Sequence, residues 1–283
     1  MNKHGLWMAL LCAAFVATGC SDRVKKLGER IEQLADQWEP VEEVEEPVEI
    51  EEEEPEPVVQ DGAFDDFFYS YMADQEFRRQ RTKFPLPYYR YDDPLKLEEE
   101  EWGGESLFTP DENYTVIFDK EDDLELSTDT LNSVQFEWIT LENLEVEKLY
   151  FERIEGIWTL EAVNVRALEE GDNADFVQFY QKFATDSLYQ QQHVKNPLTY
   201  ITVDPDNDFS ILESFIDVEQ WPAFRPDIPV ERLSNINYGQ QNDNSSVGKI
   251  LKLVNPVGGY FNLLYFRKYR GSWQLYRYED TSV

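Results

Sequence analysis

The stretch FDDFFYSYMADQEFRRQRTKFPLPY, residues 64–88, returns later in the chain as FVQFYQKFATDSLYQQQHVKNPLTY, residues 176–200. At one constant offset and without a gap the two share Phe64/Phe176, Phe67/Phe179, Asp74/Asp186, Gln80/Gln192, Lys83/Lys195, Pro85/Pro197, Leu86/Leu198 and Tyr88/Tyr200. In each copy the apolar side chains recur at helical spacing, Phe64, Phe67, Phe68, Tyr71 and Met72 in one and Phe176, Phe179, Tyr180, Phe183 and Ala184 in the other. That spacing predicts an opening helix with a single aromatic face, running over 64–82 in the first copy. Pro85 and Pro197 close it, because proline lacks the N–H a helix needs and disfavours helical backbone before it.

A second pair of blocks follows in the same order: Tyr150-Phe151 with Tyr265-Phe266, Gly156 with Gly271, Trp158 with Trp273 and Leu160 with Leu275. Looser matches, Trp102/Trp221, Pro110/Pro229 and Ser133-Val134/Ser246-Val247, lie between them. A repeat on this scale is read before any single element, since it sets the architecture. Short β-rich runs occupy Tyr114 to Phe118, Val134 to Trp138, Leu149 to Ile154 and Trp158 to Val165, then Leu233 to Tyr238, Lys249 to Val254, Asn262 to Tyr269 and Ser272 to Tyr278. Glu155-Gly156 and Arg270-Gly271 are predicted hairpin turns in which Gly supplies positive φ. The fold class is therefore α+β: tandem duplicated units, each an N-terminal helix packed on a curved antiparallel sheet.

The chain has 283 residues, with 58 Asp and Glu against 25 Lys and Arg, for a formal charge of -33. Such a field repels a phosphate backbone, so a nucleic-acid partner is excluded. The 14% aromatic content separates the body from a disordered acidic chain. With 2 His and 2 Cys, little imidazole or thiol chemistry is on offer.

The N-terminus carries Lys3 and His4, an apolar run from Leu6 to Val16, and Ala17-Thr18-Gly19-Cys20. This is the order of a secretory signal, and the run is too short for a transmembrane helix, which needs about 20 apolar residues. Small residues just before a cysteine resemble a bacterial lipobox, which implies cleavage before Cys20 and a lipid on its thiol. Ser21 stands where Asp would favour inner-membrane retention in enteric bacteria, and resemblance to that sorting rule implies the outer membrane of a Gram-negative envelope, with the periplasmic or surface face left open. Val24, Leu27, Ile31, Leu34 and Trp38 form one stripe of a short amphipathic helix, and from Glu39 to Gln60 the chain turns to Glu, Pro and Val without Lys or Arg. Like charge and proline keep such a segment extended as a spacer. The expected organisation is a signal peptide over 1–19, a lipidated Cys and short helix over 20–38, an acidic disordered linker over 39–61, and α+β repeats over 62–170 and 171–283.

The aromatic helix, the sheet and the closing Gly-x-Trp-x-Leu hairpin resemble the cone-shaped nuclear-transport-factor-2-like (NTF2-like), or SnoaL-like, fold. With Asn235-Ile236-Asn237-Tyr238-Gly239-Gln240 and the lipobox they resemble, more closely, the bacterial lipoproteins grouped as domain of unknown function 4348. The resemblance implies two cone-like halves and assigns no activity, since the wider fold hosts enzymes, binders and structural modules.

No catalytic residue, cofactor or metal is assigned. His193 takes the place of Arg81 near a helix end, where a cation is favoured by the helix dipole. Asp204-Pro205-Asp206-Asn207-Asp208 alternates oxygen ligands but has Phe209 and Phe215 where a calcium loop has Gly and Glu, so a turn is expected. Asp65-Asp66, Glu98 to Glu101 and Asp122-Asp123 read as solvated faces. Asp74/Asp186 and Lys83/Lys195 suggest a framework pair. Gly103-Gly104 and Gly258-Gly259 lack the context of a phosphate loop. Three functions stay open: a membrane-anchored binding or interaction module for a protein or small molecule, an enzyme using Asp, Glu or Tyr in one cone, and a structural envelope protein. Replacing Cys20 by Ala is expected to release the protein from membranes on cell fractionation; unchanged retention contradicts lipidation.

Overall fold

The aromatic face expected of the opening helix is buried. In a computed structural model, which describes residues 60–91, 93–102, 113–126, 130–169, 173–204, 206–207, 210–240, 246–255 and 259–282, helix α1 (Phe64–Ala73) buries Phe64, Phe67, Phe68, Tyr71 and Met72. The signal, the short helix and the acidic run up to residue 59 lie outside the described residues. Asp61, expected to end a disordered linker, is instead ordered, because its carboxylate accepts from Arg81 Nη1 (2.8 Å) and Trp158 N (2.7 Å). Asp65 and Asp66 in the first turn complement the helix dipole. The helix does not reach 82. It stops at Asp74, whose backbone is extended (φ -110°, ψ 115°) and whose carboxylate accepts from Glu76 N (2.8 Å) and Phe77 N (3.1 Å), capping a separate helix α2 (Gln75–Gln80). The second copy breaks alike: α3 (Ala174–Thr185) ends at Asp186, which caps α4 (Ser187–Gln192) through Leu188 N (2.9 Å) and Tyr189 N (3.0 Å). One carboxylate that satisfies two orphan donors stabilises a new helix start by about 1 kcal/mol, enough to divide an otherwise continuous pattern. Asp74 and Lys83 therefore form no framework pair; Lys83 Nζ meets Glu161 instead (2.6 Å).

The break leaves carbonyls at the end of α1, and the buried Arg78 closes them, donating from Nε to Tyr71 O (3.1 Å) and from Nη2 to Met72 O (2.6 Å). Gln190 does the same for Phe183 O (2.9 Å) in the second copy.

Twelve strands are described: β1 (Leu86–Arg90), β2 (Asp93–Leu97), β3 (Tyr114–Phe118), β4 (Ser133–Thr140), β5 (Glu145–Ile154), β6 (Ile157–Ala167), β7 (Val194–Asp204), β8 (Ser210–Ile216), β9 (Arg232–Asn237), β10 (Gly248–Asn255), β11 (Tyr260–Tyr269) and β12 (Ser272–Asp280). A short helix, α5 (Trp221–Phe224), precedes β9. The strands build two six-stranded sheets, β2-β1-β6-β5-β4-β9 and β8-β7-β12-β11-β10-β3, with the same order of corresponding strands. Glu155 (φ 53°) and Gly156 (φ 85°), like Arg270 (φ 53°) and Gly271 (φ 84°), make the two expected hairpin turns. A bulge at Tyr150/Phe151 and another at Tyr265/Phe266 bend the sheets at matching places.

Two features differ from an antiparallel sheet in each half. First, β1 runs parallel to β6 and β7 parallel to β12. Parallel pairing needs a long connection between the partners, and the excursion through the intervening strands supplies it. Second, the sheets exchange a strand: β3 pairs with β10 and β9 with β4. The exchanged strands cross, and their backbones are bonded reciprocally. Thr115 N donates to Ser234 Oγ (2.7 Å) and Ser234 Oγ to Thr115 O (2.9 Å), while Ser234 N donates to Thr115 Oγ1 (2.8 Å) and Thr115 Oγ1 to Ser234 O (2.5 Å). Ile117 N donates to Asn235 Oδ1 (2.9 Å), Asn235 Nδ2 donates to Glu137 Oε2 (2.9 Å), and Glu137 is paired with Lys148 (2.9 Å).

Each sheet is covered by its helix. Phe64 meets Trp158 edge-on (centroids 5.1 Å apart, 79°), and Phe176 meets Trp273 in the same way (5.4 Å, 79°). Such pairs contribute about 0.5–1.5 kcal/mol beyond their burial.

Ser234→Ala removes both bonds made by the hydroxyl and orphans the Thr115 N–H at a buried crossing. A loss of about 2 kcal/mol is expected in urea unfolding, more than the loss of about 1 kcal/mol expected for the exposed cap change Asp74→Ala. Equal or inverted losses contradict the crossing's central role.

Candidate functional site: a tyrosine–aspartate pair and two clefts at the crossing

The residues singled out in the sequence mostly serve the framework. His193 caps α4: its Nδ1 donates to Tyr189 O (2.7 Å) and its ring stacks on Tyr189 (centroids 3.8 Å apart, 26°). Arg81 lies over Phe77 in the same position of the first copy (5.0 Å). Asp204 Oδ1 accepts from Asp206 N (3.1 Å) in the turn between β7 and β8; Pro205, Asp208 and Phe209 lie outside the described residues. Glu98 and Glu101 close a capping box on a 3-10 turn, and Asp123, expected on a solvated face, is instead buried beside the Lys120 ammonium (3.7 Å). Among the described residues no group of three or more His, Cys, Asp or Glu side chains is placed to hold a metal ion.

One ionisable cluster was not legible in the spacing. Tyr238, just past β9, donates from its hydroxyl to Asp65 Oδ1 at the start of α1 (2.7 Å). Lys252 of β10 places its ammonium over the Phe261 ring (4.9 Å). Loss of surrounding water is the largest effect on each group. It raises the Asp65 carboxyl against the opposing pull of Tyr238 and Lys252, and lowers the Lys252 ammonium against the pull of Asp65. Desolvation followed by the nearby Asp65 charge raises the hydroxyls of Tyr238 and Tyr114. Asp65 keeps solvent exposure, so this cluster lies at the rim of the core. It joins β9 and β10 to α1.

Two cavities flank the segment that leads into β9. One, of about 280 Å³, is lined by Asn113, Thr115, Trp138, Asp227, Ile228 and Arg232 among others. The second, of about 700 Å³, lies against Thr140, Leu141, Glu142, Gln181, Lys182 and Thr185. Both share Val230, Glu231 and Arg232. The Arg232 guanidinium sits over the Trp138 ring at 4.0 Å, an arrangement favoured by the ring's negative face. Glu147, opposite Trp138 in the β4–β5 register, has its carboxyl raised by burial and then by Glu145, with Arg90 and Arg232 opposing. Asn113 Oδ1 is buried without a hydrogen-bond partner.

Comparison with known proteins bears on this arrangement. The family model described as "Domain of unknown function (DUF4348)" matches residues 43–280. The chain belongs to that family. A crystal structure of an NTF2-like protein from Bacteroides fragilis NCTC 9343 is 48% identical, with a TM-score of 0.75, and the match covers 81% of this chain and 100% of that one. No curated protein matches. In this DUF4348 chain the motif Asn235-Ile236-Asn237-Tyr238-Gly239-Gln240 has a structural use throughout: Asn235 holds Ile117 N, Asn237 Oδ1 accepts from Gly239 N (2.9 Å), and Gln240 Oε1 accepts from Tyr238 N (2.7 Å). The turn aims Tyr238 at Asp65.

The raised Asp65 carboxyl fixes a sign. The folded state holds that proton at pH values where the unfolded chain, near the ordinary 3.8, has released it. Stability from this group therefore falls as pH rises from that ordinary value through the raised one. Asp65→Asn keeps an acceptor for Tyr238 and removes the titration. Its melting temperature relative to wild type is expected to rise as pH is raised above about 4, and a falling difference contradicts the assignment.

Proposed function

We propose that the chain is a lipid-anchored, extracytoplasmic binding module of the Gram-negative cell envelope, and that it takes a small polar ligand in the clefts at the strand crossing. The observation that carries this reading is the pair of cavities sharing Val230, Glu231 and Arg232. In this reading the halves are tandem cone-like units whose concave faces are filled by their own helices: Phe64, Phe67 and Phe68 in one, Phe176, Phe179 and Phe183 in the other, all buried. A ligand is then held where domain junctions ordinarily place pockets. Asn113 Oδ1 offers an acceptor, Arg232 a donor array, and Asp227 and Glu231 further acceptors, a set suited to a hydroxyl-rich or amide-rich molecule.

Anchoring rests on Ala17-Thr18-Gly19-Cys20. No helix among the described residues is long and apolar enough to cross a membrane. The filled concave faces equally suit a structural envelope protein, and one titration separates the two. Sugars and short polar peptides are added to the wild type and to Arg232→Ala and followed by calorimetry. Binding weakened about tenfold in the variant, about 1.4 kcal/mol, supports the clefts, since the variant removes the charged group that both cavities share. Binding that the variant leaves intact, or no binding by any probe, overturns them. Turnover of a bound probe lost in Asp65→Asn would instead establish the enzyme reading.

A further inference from the structure

The two sheets end on corresponding strands, β2 and β8, and these edges are built differently. An edge strand turns unpaired N–H and C=O groups outward, and proteins blunt such edges with proline or lysine. In β2 the sequence Asp93-Pro94-Leu95-Lys96-Leu97 contains both devices. In β8 the sequence Ser210-Ile211-Leu212-Glu213-Ser214-Phe215-Ile216 contains neither. Ile211 is 78% exposed, Phe215 64% and Leu212 49%. Since Ile216 is buried on the inner face, alternation puts Ile211, Glu213 and Phe215 together on the outer face, beside Val203, Ile201 and Thr199 of β7.

Charge selects the occupant. Glu213 interrupts the apolar row, Asp206 stands at one end of the strand, and Asp217 and Glu219 stand at the other, all exposed. A second copy of this chain is a poor fit. The antiparallel register that pairs Ile211 with Phe215 of the other copy sets Glu213 against its own counterpart, and like charges directly opposite are destabilising. The formal charge of -33 adds repulsion between copies, as it does against an anionic lipid surface. We propose that β8 is a docking edge for an extended segment of a partner protein in which basic and apolar residues alternate, added antiparallel as the next strand of the sheet. Backbone bonds give such a complex its affinity and alternate side chains its selectivity. A basic residue opposite Glu213 and one at each end satisfy the carboxylates, while apolar residues opposite Ile211 and Phe215 cover them.

The test uses the full chain and a capped peptide, Lys-Val-Thr-Lys-Val-Ile-Lys, titrated by fluorescence anisotropy. Saturable binding is expected, weakened at least about tenfold by Glu213→Lys or by Phe215→Lys and weakened by added salt. Both substitutions are at exposed positions, and unchanged melting temperatures verify the fold. The proposal is overturned by absent binding up to about 1 mM, the weakest affinity of interest here. Equal binding of a peptide with Glu in place of each Lys, or binding undiminished in both variants, overturns it too. So does a dimer in gel filtration that Phe215→Lys dissociates, which would install a second copy, or vesicle binding lost in that variant, which would install a lipid surface.

Discussion

Thr115 and Ser234 hold each other's backbone at the point where β3 and β9 cross, and the architecture depends on that exchange. β3 and β9 are the terminal strands of their sheets, so without a partner each would leave a row of backbone groups facing a dry interior. Side chains answer that need across the crossing: Ser234 Oγ for Thr115 N, Thr115 Oγ1 for Ser234 N, and Asn235 Oδ1 for Ile117 N. A hydroxyl or amide is required at each place because an apolar residue would fill the space and orphan the donor. The buried Glu137–Lys148 pair is tied into the same network through Asn235. Its partners are mutually required, since removing one would leave an uncompensated charge in the core.

The crossing also explains where the cavities lie. A helix laid on each sheet covers one face with rings, and Phe64 and Phe176 seat Trp158 and Trp273, which hold matching places in the two copies. The segment running into β9 must instead leave one half and join the other, past Trp138 and the end of α3. The Val230–Arg232 stretch of this connector lines both hollows.

Much of this was readable in the residues, and the rest was not for physical reasons. Ring spacing located α1 and α3, and Glu155-Gly156 and Arg270-Gly271 located two hairpins because their backbone demands are local. The breaks at Asp74 and Asp186 were hidden because the ring periodicity runs past a cap that acts through two nearby N–H groups. Prolines at 85, 87, 94 and 197 masked β1, β2 and the start of β7, and the acidic turn before it masked β8. The partner of β3 was beyond reach, since Tyr114 to Phe118 reads alike whichever sheet it joins. The Tyr238–Asp65 contact spans both halves, and no spacing encodes it.

The strand exchange also has a consequence in time. Thr115 and Ser234 are 119 positions apart, and β10, the neighbour that β3 needs, comes later still. As the polypeptide is made, β3 waits with its edge unmatched while β4, β5 and β6 can already pair. Contacts this distant are slow to form, so the first sheet gains its sixth strand, and the second its first, only late in synthesis. An elongating chain arrested midway would therefore be a partial sheet lacking β9 and carrying a spare β3, a species held open by its own topology until the C-terminal third arrives.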